Sequence, residues 1–143
     1  MPTKDFEQTI PFRQVPGPFG PRWIPLVEVG VIGPDGRPVN LSLLFDTGAD
    51  VTTLRADLCY LLGAQTWDEG ELVETGTAGG PADTYRYMGR LVVFGRVIEC
   101  PIHLAQLPPN PLVSGLLGRE VVFDRFGFGF WESAHELYVT MNP

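Results

Sequence analysis

Glycine and proline punctuate this chain so densely that no long helix has room to form: 17 glycines and 14 prolines fall among 143 residues and separate short apolar runs. Proline removes a backbone donor and fixes φ, and glycine supplies turn conformations, so this spacing favours brief strands joined by tight turns. Nothing reads as repeated strand, helix, strand units. The expected class is all-β, a small closed β-barrel with one or two short helices.

Taken in order, residues 11–21 include Pro16-Gly17-Pro18-Phe19-Gly20-Pro21, which cannot be helical and reads as extended or loose. Residues 1–21 are therefore expected as a proline-rich N-terminal arm before a domain spanning 22–143. Residues 23–32 and 39–45 are strand-like around the turn signal Gly33-Pro34-Asp35-Gly36, and together predict a hairpin. The β-branched run 51–54 predicts another strand. The apolar spacing of 55–62, ended by Gly63, suits a two-turn helix. Residues 71–74 and 84–88 flank a glycine-rich tip, Thr75-Gly76-Thr77-Ala78-Gly79-Gly80-Pro81, in a predicted hairpin. A further hairpin is expected over 89–104, turning at Gly95-Arg96. Residues 106–111 carry Pro108, Pro109 and Pro111 and must be loop. Phe126-Gly127-Phe128-Gly129-Phe130 alternates strictly and can pair with 137–141, its aromatics packed on one face and its glycines closely approached on the other.

The chemistry-bearing stretch is Leu43-Leu44-Phe45-Asp46-Thr47-Gly48-Ala49-Asp50, where an apolar strand runs into an acid, a hydroxyl and a glycine. A carboxylate delivered against apolar neighbours is costly unless hydrogen bonds or a partner compensate, and groups so placed are candidates for acid/base work. The same residues would serve an ordinary turn in which Asp46 bonds nearby backbone. A second apolar run, Leu116-Leu117-Gly118-Arg119-Glu120, repeats the pattern of two aliphatics and a glycine far downstream.

The two stretches together resemble the retropepsins, the single-domain aspartic proteases of retroviral type, over roughly residues 23–122. The resemblance implies an acid-protease barrel in which Asp46 is the catalytic aspartate, Thr47 the hydroxyl bracing the two active-site loops, and Gly48 a substrate-contacting backbone position. It further implies that Leu44, Ala49, Asp50 and Leu116 border the substrate, that Leu117, Gly118 and Arg119 support the site, and that Arg119 pairs with Asp50. The tip formed by Gly76, Thr77, Ala78, Gly79 and Gly80 corresponds to a flap that folds over substrate, although such tips also occur where nothing binds. The resemblance also implies a short helix over 119–124, after the second motif, and the terminal strand pair departs from the retroviral pattern.

Other chemistries find little support. The formal charge of −7 and the lack of any basic cluster make nucleic acid or an anionic membrane poor partners. No apolar run has the length of a spanning helix, and the first residues, Met1-Pro2-Thr3-Lys4-Asp5-Phe6-Glu7, lack a signal-peptide core, so a cytoplasmic location is expected. Cys59 and Cys100 sit among apolar neighbours and read as buried reduced thiols. Cys100 and His103 lack a second ligand pair for zinc, and His103 reads as the outward side chain of a strand.

Peptide hydrolysis of this type needs two close carboxylates, one protonated and one not, which activate a water and protonate the tetrahedral species. The chain carries one Asp-Thr-Gly. The second carboxylate is therefore expected from an identical subunit across a two-fold axis, giving an Asp46/Asp46′ dyad in a homodimer that cuts protein or peptide and needs no metal or organic cofactor. Two other readings remain open: a catalytically silent retropepsin-like domain that dimerises or binds peptides, and an all-β interaction module in which Asp-Thr-Gly is coincidental.

Overall fold

The computed structural model describes residues 6–141. Twelve strands are formed: β1 (Gln8–Pro11), β2 (Arg13–Val15), β3 (Arg22–Ile24), β4 (Leu26–Ile32), β5 (Pro38–Phe45), β6 (Thr52–Arg55), β7 (Glu71–Thr77), β8 (Gly80–Val93), β9 (Arg96–Ala105), β10 (Gly115–Leu117), β11 (Phe126–Trp131) and β12 (Glu136–Met141). Among the described residues helix is confined to α1 (Val122–Arg125) and to 3-10 turns at Ala56–Leu62, Trp67–Glu69 and Glu132–Ala134. The all-β expectation holds. The segment foreseen as a two-turn helix is the first of those 3-10 turns, ended by Gly63 at φ 79°.

Six strands form a hydrogen-bonded ring in the order β4, β5, β10, β6, β9, β8, with β8 returning to β4 through the Gly30/Val92 and Val31/Leu91 pairs. β4 and β5 are joined by the predicted turn, where Gly36 takes φ 80° and donates to the Gly33 carbonyl at 2.9 Å. Alternate side chains point inward, and Val29, Val31, Leu43, Leu54, Leu91, Ile102, Leu104 and Leu117 are fully buried in one cluster. Full burial of such a side chain is worth about 1.5–3 kcal/mol relative to exposure.

β8 is longer than the sequence suggested. It runs unbroken through Gly89, so the two predicted hairpins share one 14-residue strand. Gly89 marks close packing: a β-carbon there would lie 3.3 Å from Leu62 and collide with Ile102 of β9. The β8–β9 turn falls at Phe94-Gly95, one residue earlier than expected, with both residues at positive φ (50° and 79°). Phe94 holds that unfavourable backbone because its ring is buried against Phe126 and Phe128.

A second sheet, in the order β1, β12, β11, closes one side of the molecule. Its aromatics behave as the alternation predicts: Phe128 packs on Phe45, Phe94 and Phe123, while Gly129 on the other face is approached by the Phe6 ring. The first described residues are built into this layer. β1 pairs with β12, Phe12 is buried in the core and its amide donates to the His135 carbonyl at 2.8 Å, and Trp23 stacks on His135 with centroids 4.5 Å apart. The arm expected over residues 1–21, whose stretch 11–21 was read as extended or loose, thus contributes β1, β2 and a core side chain, Phe12. The proline pattern forbade helix but did not reveal the burial of Phe12 and Val15.

Candidate active site

The site is assembled by β10. This three-residue strand lies between β5 and β6, parallel to the first (Leu116 opposite Leu44) and antiparallel to the second (Leu116 opposite Thr53). β5 enters the Asp46 turn and β6 leaves it, so β10 clamps the turn from within the sheet. The Asp46 amide donates to the Leu117 carbonyl at 3.2 Å, the Arg119 amide to Ala49 at 3.0 Å and the Glu120 amide to Asp50 at 2.8 Å. Glycine is required for this insertion. A β-carbon on Gly118 would overlap the Val51 carbonyl and stand 2.7 Å from the Thr52 nitrogen, and one on Gly115 would collide with the Thr53 carbonyl.

Within the turn, Asp46 is half-buried, and its Oδ1 accepts the Gly48 amide at 2.9 Å while its carbonyl accepts the Ala49 amide at 3.2 Å. The Asx-type bond is thus present, and one backbone donor of the turn, the Gly48 amide, orients the carboxylate. Thr47, Gly48 and Asp50 are exposed, and Ala49 is half-buried. Phe45, just before the turn, is buried against Phe123, Phe128 and Phe130, which fixes the root of the loop.

Leu44 and Leu116, paired across β5 and β10, border a groove of about 730 Å³ whose other walls include Ile24, Val113 and the loop from Leu107 to Leu112. That proline-rich loop is fastened by Arg55, which donates to the Asn110 carbonyl at 2.8 Å while bonded to Asp57 at 3.1 Å. Sequence reading found the two leucines but not Ile24 or the proline wall, because no motif marks them.

The predicted pair between Asp50 and Arg119 does not form. Among the described residues the ion pairs are Arg55 with Asp57 and Arg86 with Glu120. Asp50 and Arg119 are both exposed, where an ion pair gains little against water and side-chain entropy. Their segments are joined by backbone instead, through the amides of Arg119 and Glu120. His103 is also corrected: it is 5% exposed, held between Thr84 and Arg86. Cys59 and Cys100 are buried free thiols, and burial pushes the Cys100 thiol up to about 11, which keeps it protonated and unreactive.

Gly76, Thr77, Ala78, Gly79 and Gly80 form the tip of the β7–β8 hairpin, turning at Ala78-Gly79 and closed by a bond from the Thr77 hydroxyl to the Gly80 carbonyl. All but Gly80 are exposed. Strand pairing and backbone bonds unite Asp46, Leu44, Leu116, Leu117 and Gly118, and among the described residues no hydrogen bond joins the hairpin tip to the Asp46 turn.

Comparison with known proteins agrees with this geometry. The aspartyl protease family matches over residues 27–121, which contain both motifs and the hairpin between them. The chain belongs to that family, in its retropepsin-like form. Among solved structures it is similar to EIAV protease complexed with the inhibitor HBY-793, with a TM-score of 0.50 and 24% identity over 71% of this chain and 86% of that one, a likeness of fold. No match was found among curated proteins. No helix among the described residues is long and apolar enough to cross a membrane.

Proposed function

We propose that this protein is an aspartic endopeptidase whose active form is a homodimer, with the Asp46 carboxylates of two copies facing each other across a two-fold axis. The observation that carries the reading is the half-site itself: one Asp-Thr-Gly per chain, its carboxylate half-buried on a turn that β10 clamps in place, with an apolar groove bordered by Leu44 of the strand that leads into it. Two carboxylates in close apposition cannot both ionise, so they share a proton and titrate as a pair. The ionised partner draws a proton from a water lying between them, and the water oxygen attacks the scissile carbonyl. The protonated partner then supplies the leaving amine with its proton.

Thr47, exposed at the head of the turn, is proposed to brace the two loops across the axis, and Gly48 to leave room for substrate backbone. Leu44 and Leu116 give the groove beside the dyad an apolar lining, which suits aliphatic or aromatic side chains flanking the cut. The hairpin tip around Gly76 to Gly80 is proposed to close over bound peptide and exclude water.

The test is cleavage of a denatured protein substrate across a range of pH by the purified protein, beside Asp46→Asn. Asparagine keeps an oxygen for the Gly48 amide but cannot share the proton, so the variant should fold normally and lose activity by about 10²–10⁴-fold. A wild-type protein that dimerises without cutting would instead be the silent member of this family. Cleavage retained by Asp46→Asn would remove the residue from the mechanism.

A further inference from the structure

Away from the Asp46 turn, a run of polar side chains crosses the ring from the β7–β8 hairpin to the second motif. His103 on β9 and Thr84 on β8 are 5% and 4% exposed. Thr84 Oγ1 lies 3.1 Å from His103 Nδ1, 3.0 Å from the Val73 carbonyl and 3.0 Å from Thr75 Oγ1. On the other side of the ring, His103 Nε2 lies 3.3 Å from Arg86 Nη1. Arg86 in turn grips Glu120 through Nη2 to Oε1 at 3.1 Å and Nη1 to Oε2 at 3.4 Å. The Glu120 amide donates to the Asp50 carbonyl, four residues beyond Asp46.

The donors and acceptors fit in one way. A guanidinium only donates, so Nε2 must accept and the imidazole proton sits on Nδ1, directed at Thr84 Oγ1. The single Thr84 proton goes to the Val73 carbonyl, leaving Thr84 to accept from Thr75 as well. No buried side-chain polar atom among the described residues is left without a partner. The arrangement holds only while His103 is neutral. A second proton would have to occupy Nε2, setting donor against donor and cation against cation at the Arg86 contact.

We propose that His103 is a positioning residue and a pH-sensitive latch: when neutral it holds Arg86, and with it the stem of the β7–β8 hairpin, against Glu120 beside the active-site turn, and protonation releases that tether. The consequence for catalysis rests on the protease reading, since a hairpin freed in acid would admit substrate under the conditions that favour a shared proton on the dyad. The groups facing His103 are Arg86 from β8, Glu120 after β10 and the uncharged Thr53 opposite it on β6, with Glu71 of β7 standing opposite Arg86. Burial and then Arg86 hold the imidazole below the ordinary histidine range, with Glu120 opposing them, so release is placed on the acid side of neutrality.

Nitrogen NMR of the imidazole in the full chain should show the Nδ1–H tautomer at neutral pH. Amide exchange of β7 and the first half of β8, corrected for its intrinsic pH dependence, should lose protection as His103 titrates, each tenfold of protection lost corresponding to one unit between the pKa values of the latched and released states. His103→Gln offers Arg86 an oxygen that takes up no proton, and should keep the neutral-pH protection while abolishing its acid dependence. An Nε2–H tautomer in the wild type, hairpin exchange that ignores the titration, or an acid response unchanged in His103→Gln would each overturn the proposal. The wild-type measurements decide it even if the variant misfolds. None of these readouts requires cleavage, so failure of the latch and failure of the protease reading are seen separately.

Discussion

The Gly118 amide donates to Thr52 Oγ1 at 3.1 Å in a buried contact that spans 66 positions of sequence. Thr52 is the first residue of the strand leaving the Asp46 turn, and Gly118 the first after β10. The strand that follows the first motif is thus fastened to the second by a side chain on one and a backbone amide on the other.

Thr52→Val keeps the shape and removes the acceptor, leaving a buried N–H unpaired at a cost of about 1–3 kcal/mol. Thr52→Ser should recover most of it. Gly118→Ala should be worse, by about 3 kcal/mol or more, because its β-carbon meets backbone that cannot move without parting β10 from β6. Denaturant midpoints compare the three, and a Thr52→Val midpoint equal to wild type would show that the hydroxyl carries no stability.

If the active species is a homodimer, specific activity falls on dilution through the dissociation constant, in step with the dimer fraction seen by sedimentation. Adding excess Asp46→Asn protein to wild type should also suppress cleavage, since mixed dimers hold one competent carboxylate. Full activity in a strictly monomeric protein would exclude the shared dyad.

Arg119→Ala should change the stability of the folded chain by no more than about 0.5 kcal/mol, as for an exposed side chain outside any buried network. Thermal unfolding of the variant checks this. A loss of several kcal/mol would restore the tie to Asp50 that the resemblance implied.

Stability should fall in two steps on acidification. His103 has a depressed pKa from burial and Arg86, so the unfolded chain binds its proton first, and stability is lost as pH drops from the ordinary histidine value through the lower folded one. Glu120 is depressed by its bond to Arg86, and its smaller contribution, discounted for exposure, is lost further down, through the folded value below the ordinary carboxylate range. Urea midpoints measured against pH in wild type and His103→Gln should differ in the first step. A first step that survives the substitution would assign it to another group.

What the sequence determined alone was whatever depends on neighbours along the chain. The turn before Pro38, the delivery of Asp46 at the end of β5 and the Phe-Gly alternation of β11 are set by φ preferences and a two-residue period, and these were legible. The family's motifs added Leu116 to Gly118 as their distant counterpart. The tertiary structure alone decided that β10 inserts between β5 and β6, that Gly89 sits inside a continuous strand, and that Phe12 belongs to the core. It also decided the partners of the charges. Arg86 took Glu120 and His103 became buried, while Asp50 and Arg119 stayed in water. Pairing of charges is a contest between Coulomb attraction, desolvation and geometry among residues far apart in sequence, and its outcome exists only once the strands have fixed which side chains meet.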